Sequence, residues 1–339
     1  MAKKILEIKN LVFSFRTYGG VVQSVRDVSF ELRKGEILGI VGESGCGKSV
    51  TAQSILRLNP EPPGFFSGGE ILFKGQDVIK MNQKQLRQIR GAEIGFIFQD
   101  PMTSLNPTMR IGKQIEEVFH GNKKITKAEV KEKALDIMRM VGISDVEKRY
   151  RQYPHELSGG MKQRVMIAMA LVSQPSMIIC DEPTTSLDVT IEAQILDLLL
   201  DLRERLDTSI IMITHDLGVI AKLCDRVVVM YGGKVMETGT VQEIFYDTAH
   251  PYTHGLMKSI ASLDMDKNTV LTPISGSPPD LFSPPPGCPV AARCEFAMKV
   301  CYERPPEQAR LSDEHHTCCW LRHELAPKVD LRLRKEGAQ

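Results

Sequence analysis

The sequence predicts an α/β protein built on a largely parallel sheet. Three observations carry this. Short apolar runs alternate with segments of helical spacing along the first 250 residues, the pattern of strand–helix–strand units. One apolar run, residues 36–41, leads straight into Gly42-Glu43-Ser44-Gly45-Cys46-Gly47-Lys48-Ser49, which fits G-x-x-x-x-G-K-[ST] and is followed by helical spacing. Composition is that of an ordinary globular chain: 339 residues, 42% hydrophobic and 25% charged. That length suits two domains, or one large domain with an appendage. Lys plus Arg is 43 against 42 for Asp plus Glu, a net charge of +1. Such a balance argues against a nucleic-acid binder working through bulk positive charge, and the apolar fraction excludes disorder over most of the length.

Each element follows from its own residues. Residues 5–15 read as a strand, and residues 25–32 alternate apolar and polar side chains as a second. EILGIV (36–41) is a buried strand. VTAQSILRLN (50–59) has helical spacing, and Pro60, Pro62 and Pro63 stop it. Residues 70–73 and 94–98 are further strands. From about Thr103 to Gln174 the character is helical; in residues 127–143, Ala134, Ile137, Met138 and Val141 share one face. MIIC (177–180) is a buried strand, residues 191–206 an amphipathic helix, and SIIMIT (209–214) another strand. Residues 227–239 read as a hairpin turning at Gly232-Gly233. No internal repeat appears. Residues 273–289 hold seven prolines in 17 positions and read as an extended linker to a cysteine-rich tail.

Membrane and export signals are not seen. The longest uncharged stretch, 165–180, is interrupted by Ser173, Gln174, Pro175 and Ser176, and a spanning helix needs roughly 18–20 apolar residues. The start, MAKKILEIKN, has no apolar core behind its basic residues. The expectation is a cytoplasmic chain whose membrane role, if any, comes through a partner. Cys46, Cys180 and Cys224 are scattered, whereas Cys288, Cys294, Cys301, Cys318 and Cys319 crowd into the last fifth. In a cytosolic protein such a cluster suits metal better than disulfides.

The chemistry of a phosphate site is legible. Gly42, Ser44, Gly45, Cys46 and Gly47 supply a loop whose backbone N–H groups can curl around phosphate oxygens. Cys46 occupies a variable position and brings no side-chain chemistry. Lys48 can neutralise the β- and γ-phosphates, and the Ser49 hydroxyl can ligate Mg²⁺. The helix behind the loop adds its positive N-terminal end. In MIICDE, a buried strand delivers Asp181 to its C-terminal end, where it can hold Mg²⁺ through water. Glu182, next to it, can polarise an attacking water. Ser158, Gly159 and Gly160 precede a helical segment and form a second anion-binding helix start. Two phosphate sites for one nucleotide suggest two chains, each completing the other's site.

Leu157-Ser158-Gly159-Gly160-Met161 followed by Lys162-Gln163-Arg164 resembles the signature motif of ABC-type ATPases. The order of the remaining motifs is similar: Gln99 in IFQDP resembles the Q-loop, Ser186-Leu187-Asp188 the D-loop, and His215 in ITHD the switch histidine. Met161 departs from the usual Gln. The resemblance covers roughly residues 5–245. It implies a P-loop NTPase fold of ABC type: a parallel sheet core, an antiparallel β subdomain and an inserted helical subdomain. It also implies ATP and Mg²⁺ as cofactors and a head-to-tail dimer closing on two ATP. Phe15, with Tyr18 as fallback, would stack on adenine. Gln99 would contact Mg²⁺ and couple the helical subdomain to membrane partners, His215 would touch the γ-phosphate, and Asp188 would belong to the nucleotide site.

His250-Pro251-Tyr252-Thr253 resembles the start of the C-terminal extension of oligopeptide and dipeptide importer ATPases. After it, Cys288, Cys294, Cys301 and Cys318 offer four soft ligands that suit an iron–sulfur cluster or zinc. His315 and His316 lie close enough in sequence to serve zinc. In the resembling importers a similar pattern holds a [4Fe–4S] cluster. The expected organisation is an ATPase domain at 1–247, with its helical subdomain at about 103–174. An extension and proline-rich linker at 248–287 and a metal-binding tail at 288–339 follow. The expected function is the ATP-hydrolysing subunit of a di- or oligopeptide importer, peripheral on the cytoplasmic face of the membrane. Its partners would be two permeases, a second similar ATPase or a second copy, and indirectly an outer peptide-binding protein, with no nucleic acid. A different cargo (nickel, a sugar or glutathione), a soluble ABC ATPase of DNA repair or translation, and a binding module without turnover are the alternatives. Discrimination falls to membrane co-purification for the second. Glu182 and His215 argue against the third.

Overall fold

The computed structural model describes residues 3–120, 125–185, 188–259 and 274–332. Its strands run β1 (Lys4–Thr17), β2 (Gly20–Arg33), β3 (Ile37–Val41), β4 (Gly64–Phe73), β5 (Gln76–Asp77) and β6 (Ile94–Ile97), then β7 (Met177–Asp181), β8 (Ser209–Ile213), β9 (Arg226–Tyr231), β10 (Lys234–Thr240), β11 (Ala309–Arg310) and β12 (His316–Thr317). The helices used below are α1 (Lys48–Ile55), α2 (Gln83–Ile89), α3 (Pro101–Ser104), α4 (Ile111–Glu116), α5 (Lys127–Met140), α6 (Val146–Arg151), α7 (Gly159–Leu171), α8 (Val189–Leu206), α9 (Leu217–Leu223), α10 (Val241–Tyr246), α11 (Pro251–Lys258) and α12 (Lys299–Glu303). The chain divides into two compact units.

One unit comprises Lys4–Leu32, Leu38–Ile79 and Thr214–Gln339. Its first sheet is antiparallel, in the order β2-β1-β4-β5, with Leu6 opposite Phe73 and Phe15 opposite Gly64. Phe13 and Phe66 meet edge to face across this pair at 4.8 Å, the cross-strand aromatic contact that fixes register. In its second sheet β3 runs parallel to β9, and β10 returns antiparallel. The turn falls at Gly232 and Gly233, whose φ of 54° and 77° suit glycine. The expected hairpin is therefore present.

The C-terminal residues continue this sheet. β12 pairs with β10, setting Glu237 opposite Thr317, and β11 pairs with β12. One apolar core joins Val229, Tyr231, Ile244 and Tyr252 to Cys288, Val290 and Ala291. The described parts of the segments expected at 248–287 and 288–339 thus lie in the same compact unit as residues 42–49. The described part of the proline-rich stretch is irregular but docked. The Leu281 carbonyl accepts from Gln23 N–H at 2.9 Å, and the Pro285 carbonyl accepts from Arg26 at 3.4 Å. A spacer was expected from its composition. Proline removes donors and leaves every carbonyl free to accept, which is how this stretch is held.

The other unit comprises Met1–Lys3, Arg33–Ile37 and Lys80–Ile213. Strands β8, β7 and β6 lie side by side and parallel, with Ile178 between Ile210 and Gly95. All five residues of β7 and of β8 are buried, as parallel strands covered on both faces require. Helices α2–α8 follow. Asn82 with Gln85 and Thr126 with Glu129 form capping boxes that start α2 and α5. α7 is buried on most of its circumference, including Val165, Ile167 and Ala168. A Cβ on Gly95 would come within 2.4 Å of the Ala170 carbonyl, so α7 can seat on β6 only over glycine. Among the described residues no helix is long and apolar enough to cross a membrane.

Candidate functional site

The phosphate loop leaves the end of β3. Gly42, Gly45 and Gly47 have φ of 151°, 77° and 99°. A Cβ on Gly42 would lie 2.2 Å from the Met230 carbonyl, and one on Gly47 2.4 Å from that of Ser24. Glycine is required at both for backbone direction and for space. Lys48, Cys46 and Gly47 are buried in the loop's base, whereas Ser44 and Gly45 are exposed. Lys48 Nζ donates to the Gly42 carbonyl at 2.8 Å and the Glu43 carbonyl at 3.1 Å, so the loop curls about its own cation. Ser49 opens α1. Burial raises the Cys46 thiol above its ordinary range, which keeps it a neutral spacer.

Two further residues of this unit were expected to bind nucleotide. Thr214 N–H donates to the Ile40 carbonyl at 3.3 Å. This places exposed His215 one residue beyond that contact and Gly42 two residues beyond it, both at the C-terminal edge of β3. Asp216 then caps α9 by accepting from Gly218 and Val219 N–H. Phe15 is half-buried with its ring edge-on to Phe13 at 5.2 Å, and the fallback Tyr18 is fully exposed at the β1–β2 turn.

In the other unit β7 ends at buried Asp181. Glu182 follows in a left-handed conformation, φ 48°, with its N–H donating to the Ile213 carbonyl. Its carboxylate oxygen Oε2 accepts from Gln99 Nε2 and from Thr185 Oγ1, each at 2.9 Å. Gln99 and Glu182 are brought together 83 positions apart. Thr185 had no sequence signal; it reaches Glu182 through the turn after β7.

The signature residues form a helix start. Ser158 caps α7 and accepts from Met161 N–H at 3.4 Å. A Cβ on Gly159 would meet nothing, so this face is open. One on Gly160 would touch Ile191 of α8 at 3.0 Å, so Gly160 permits the α7–α8 contact. Asp188 caps α8, its Oδ1 accepting from Ile191 N–H at 3.0 Å. Ser186 and Leu187 of the expected D-loop lie outside the described residues.

Comparison with known proteins fits this geometry. The family described as ABC transporter matches residues 25–185, and the one described as oligopeptide/dipeptide transporter, C-terminal region, matches residues 236–301. The oligopeptide transport ATP-binding protein OppD of Bacillus subtilis is 56% identical over 327 residues, covering 96% of this chain and 91% of that protein. The chain belongs to the oligopeptide/dipeptide family of ABC transporter ATP-binding proteins. The dipeptide transport ATP-binding protein DppD of Bacillus subtilis is 53% identical over 324 residues, 96% of each chain. OppD of Escherichia coli is 47% identical over 305 residues, 90% of each. A dimeric ATP-binding cassette in a post-hydrolysis state with ADP and phosphate superposes with a TM-score of 0.62 at 26% identity, over 70% of this chain and 98% of that one. CbiO1 of Clostridium perfringens, part of an ABC transporter complex, gives 0.61 at 29% identity, over 72% and 91%. The chain is accordingly an ABC ATPase, a class for which ATP and Mg²⁺ are expected.

The cysteines of this ABC ATPase correct one expectation. Cys294, Cys301 and Cys319 lie near Cys288. Cys318 instead faces Lys234 and Asp27 and lines a cavity with Asn10, Ser29 and Pro305. Pairing with β10 decides this: Cys318 N–H donates to the Met236 carbonyl at 2.8 Å as β12 ends, and neighbours on an extended chain point to opposite sides. Cys319 therefore replaces Cys318 among the four grouped thiols. Burial pushes Cys288 up to about 12 and Cys319 up to about 11. Neither histidine is placed for zinc: His315 Nε2 pairs with buried Glu237 at 2.7 Å, and His316 Nδ1 lies 3.3 Å from the Glu314 carbonyl. Four soft donors in an apolar core fit an iron–sulfur group chemically. Among the described residues, however, no three His, Cys, Asp or Glu side chains converge closely enough to hold a metal ion.

The motif at 250–253 has a physical reading. His250 caps α11, its Nδ1 accepting from Tyr252 N–H at 3.0 Å, with Pro251 at the first helical position. The Tyr252 hydroxyl accepts from Glu43 N–H at 2.9 Å. Arg293, between two of the grouped cysteines, forks onto the Glu43 carboxylate. Neither contact had a sequence signal.

Proposed function

We propose that this ABC ATPase energises import of di- or oligopeptides through a membrane transporter, from a peripheral position on the cytoplasmic face. The observation that carries the cargo is the 56% identity to an oligopeptide transport protein across 96% of the chain, extension included. Its partners would be two permeases and a second nucleotide-binding subunit, a homologue or another copy, with an outer peptide-binding protein delivering cargo.

In the mechanism, Lys48 and the loop amides would hold the β- and γ-phosphates, and Ser49 and Asp181 would hold Mg²⁺. Glu182 takes a proton from the attacking water, and His215 contacts the γ-phosphate. Gln99 Nε2 already donates to Glu182, which leaves its Oε1 as the atom that would meet Mg²⁺. Ser158 and the Gly159 amide, at the open start of α7, meet the nucleotide held by the other subunit. Phe15 or Tyr18 takes the adenine, and Asp188 orients the facing site. Closure around ATP and reopening after hydrolysis become a population shift driven by the γ-phosphate.

The extension would hold a [4Fe–4S] cluster on Cys288, Cys294, Cys301 and Cys319. Bound there, the cluster would supply a covalent staple among segments that already share an apolar core.

The test of cargo is reconstitution with the permeases and binding protein in lipid nanodiscs. Short peptides should stimulate ATP hydrolysis, and nickel, sugars and glutathione should not. Stimulation by one of those instead overturns the peptide reading and leaves the ATPase intact.

A further inference from the structure

We infer that Arg293 is a positioning residue for nucleotide binding, acting through Glu43 of the phosphate loop. Its Nη1 lies 2.5 Å from Glu43 Oε2 and its Nη2 3.0 Å from Oε1, the bidentate fork for which guanidinium is suited. The remaining donors are also used. Nη1 reaches the Tyr231 hydroxyl at 2.9 Å, Nη2 the Ile274 carbonyl at 2.8 Å, and Nε the Ser275 carbonyl at 2.9 Å. The side chain is 5% exposed, so this is not one of the solvated pairs that contribute little.

The consequence for the loop is electrostatic and geometric. Glu43 puts a carboxylate inside the segment that must accept a polyphosphate, where like charges repel. Arg293 offsets that charge, its donors being engaged by Glu43, Tyr231, Ile274 and Ser275. The Glu43 backbone is held at both ends of its peptide groups: its N–H donates to Tyr252 Oη at 2.9 Å, and its carbonyl accepts from Lys48 Nζ at 3.1 Å. A single residue therefore connects the cysteine-bearing segment, the α11 tyrosine and the phosphate-binding lysine.

The inference rests on residues 42–49 being the ATP site. The experiment is calorimetric titration of the full chain with ATP, ADP and AMP, with thermal unfolding run beside it. R293Q should weaken ATP about tenfold or more, ADP less and AMP least, because the uncovered charge acts on phosphates. The double variant E43Q/R293Q should recover ATP affinity to within about threefold of wild type, since both members of the pair are then neutral. R293K keeps the charge and breaks the fork; its ATP affinity should fall between wild type and R293Q. An unchanged Kd in R293Q overturns the inference. So does a double variant as weak as R293Q, or a loss in R293Q or R293K that is equal for all three nucleotides. Failure of the wild-type chain to bind ATP would instead sink the reading of the loop.

Discussion

Glu182 carries a left-handed backbone that a non-glycine residue adopts at a cost of order 1–3 kcal/mol. Two hydrogen bonds to one carboxylate oxygen hold it there. In Glu182→Gln the amide oxygen can still accept from Gln99 and Thr185, so the substitution removes basicity rather than position. ATP binding should persist while phosphate release falls at least about a hundred-fold. Unchanged turnover in that variant removes Glu182 from the role. The acid was legible as the residue after a buried strand. Its Thr185 partner was not, because that contact depends on the turn beyond it. The paired cysteines make the same point. Cys318 and Cys319 are chemically identical neighbours, and only the pairing of β12 with β10 separates them. Cys319→Ser should therefore lower iron and acid-labile sulfide in anaerobically purified protein, and Cys318→Ser should leave both at wild-type levels. The reverse result would restore Cys318 as the ligand.

At the scale of elements, α11 is started by a histidine that cannot easily take a proton. Burial pushes the His250 imidazole down to about 4, with the Glu237 carboxylate acting upward and Arg322 downward. An unfolded histidine titrates near 6.5. Between those values the unfolded chain binds a proton that the native chain does not. Stability from this group is thus fully present above pH 6.5 and declines as pH falls toward 4, by about 3 kcal/mol in all. Urea unfolding from pH 7.5 to 4.5 should show this decline, and His250→Asn, which can still cap, should flatten it. A variant with the wild-type slope would place the titration elsewhere. Most elements were legible because strand and helix periods and glycine turns are local signals. The fate of residues 274–287 was not. Proline content reports the missing donors, whereas docking there depends on acceptors that meet Gln23, Arg26 and Arg293.

At the scale of the molecule, the change in composition near residue 287 is not an energetic boundary. The fully buried Glu237 carboxylate accepts from Ala249 N–H at 2.7 Å, His250 N–H at 3.1 Å and His315 Nε2 at 2.7 Å. Ending the chain at residue 287 removes His315 and β12, and stripping a hydrogen-bond partner from a buried polar group costs about 1–3 kcal/mol. Denaturant unfolding of the shortened chain should show a loss of that order. Equal stability would make the extension a separable module. None of this was legible beforehand, since the partners stand 78 positions apart and neither belongs to a motif.

The clamp on the phosphate loop also has a schedule. Glu43 and Arg293 are 250 residues apart, and a ribosome adds about 5–20 residues per second. The loop therefore exists for about 12–50 s of synthesis before its counter-charge has been made. During that interval the nascent chain presents an acidic, unclamped loop. A product released early, at any point before residue 293, keeps that defect permanently. Synthesis through residue 293 is thus a built-in check that only chains carrying Arg293 have a neutralised nucleotide loop.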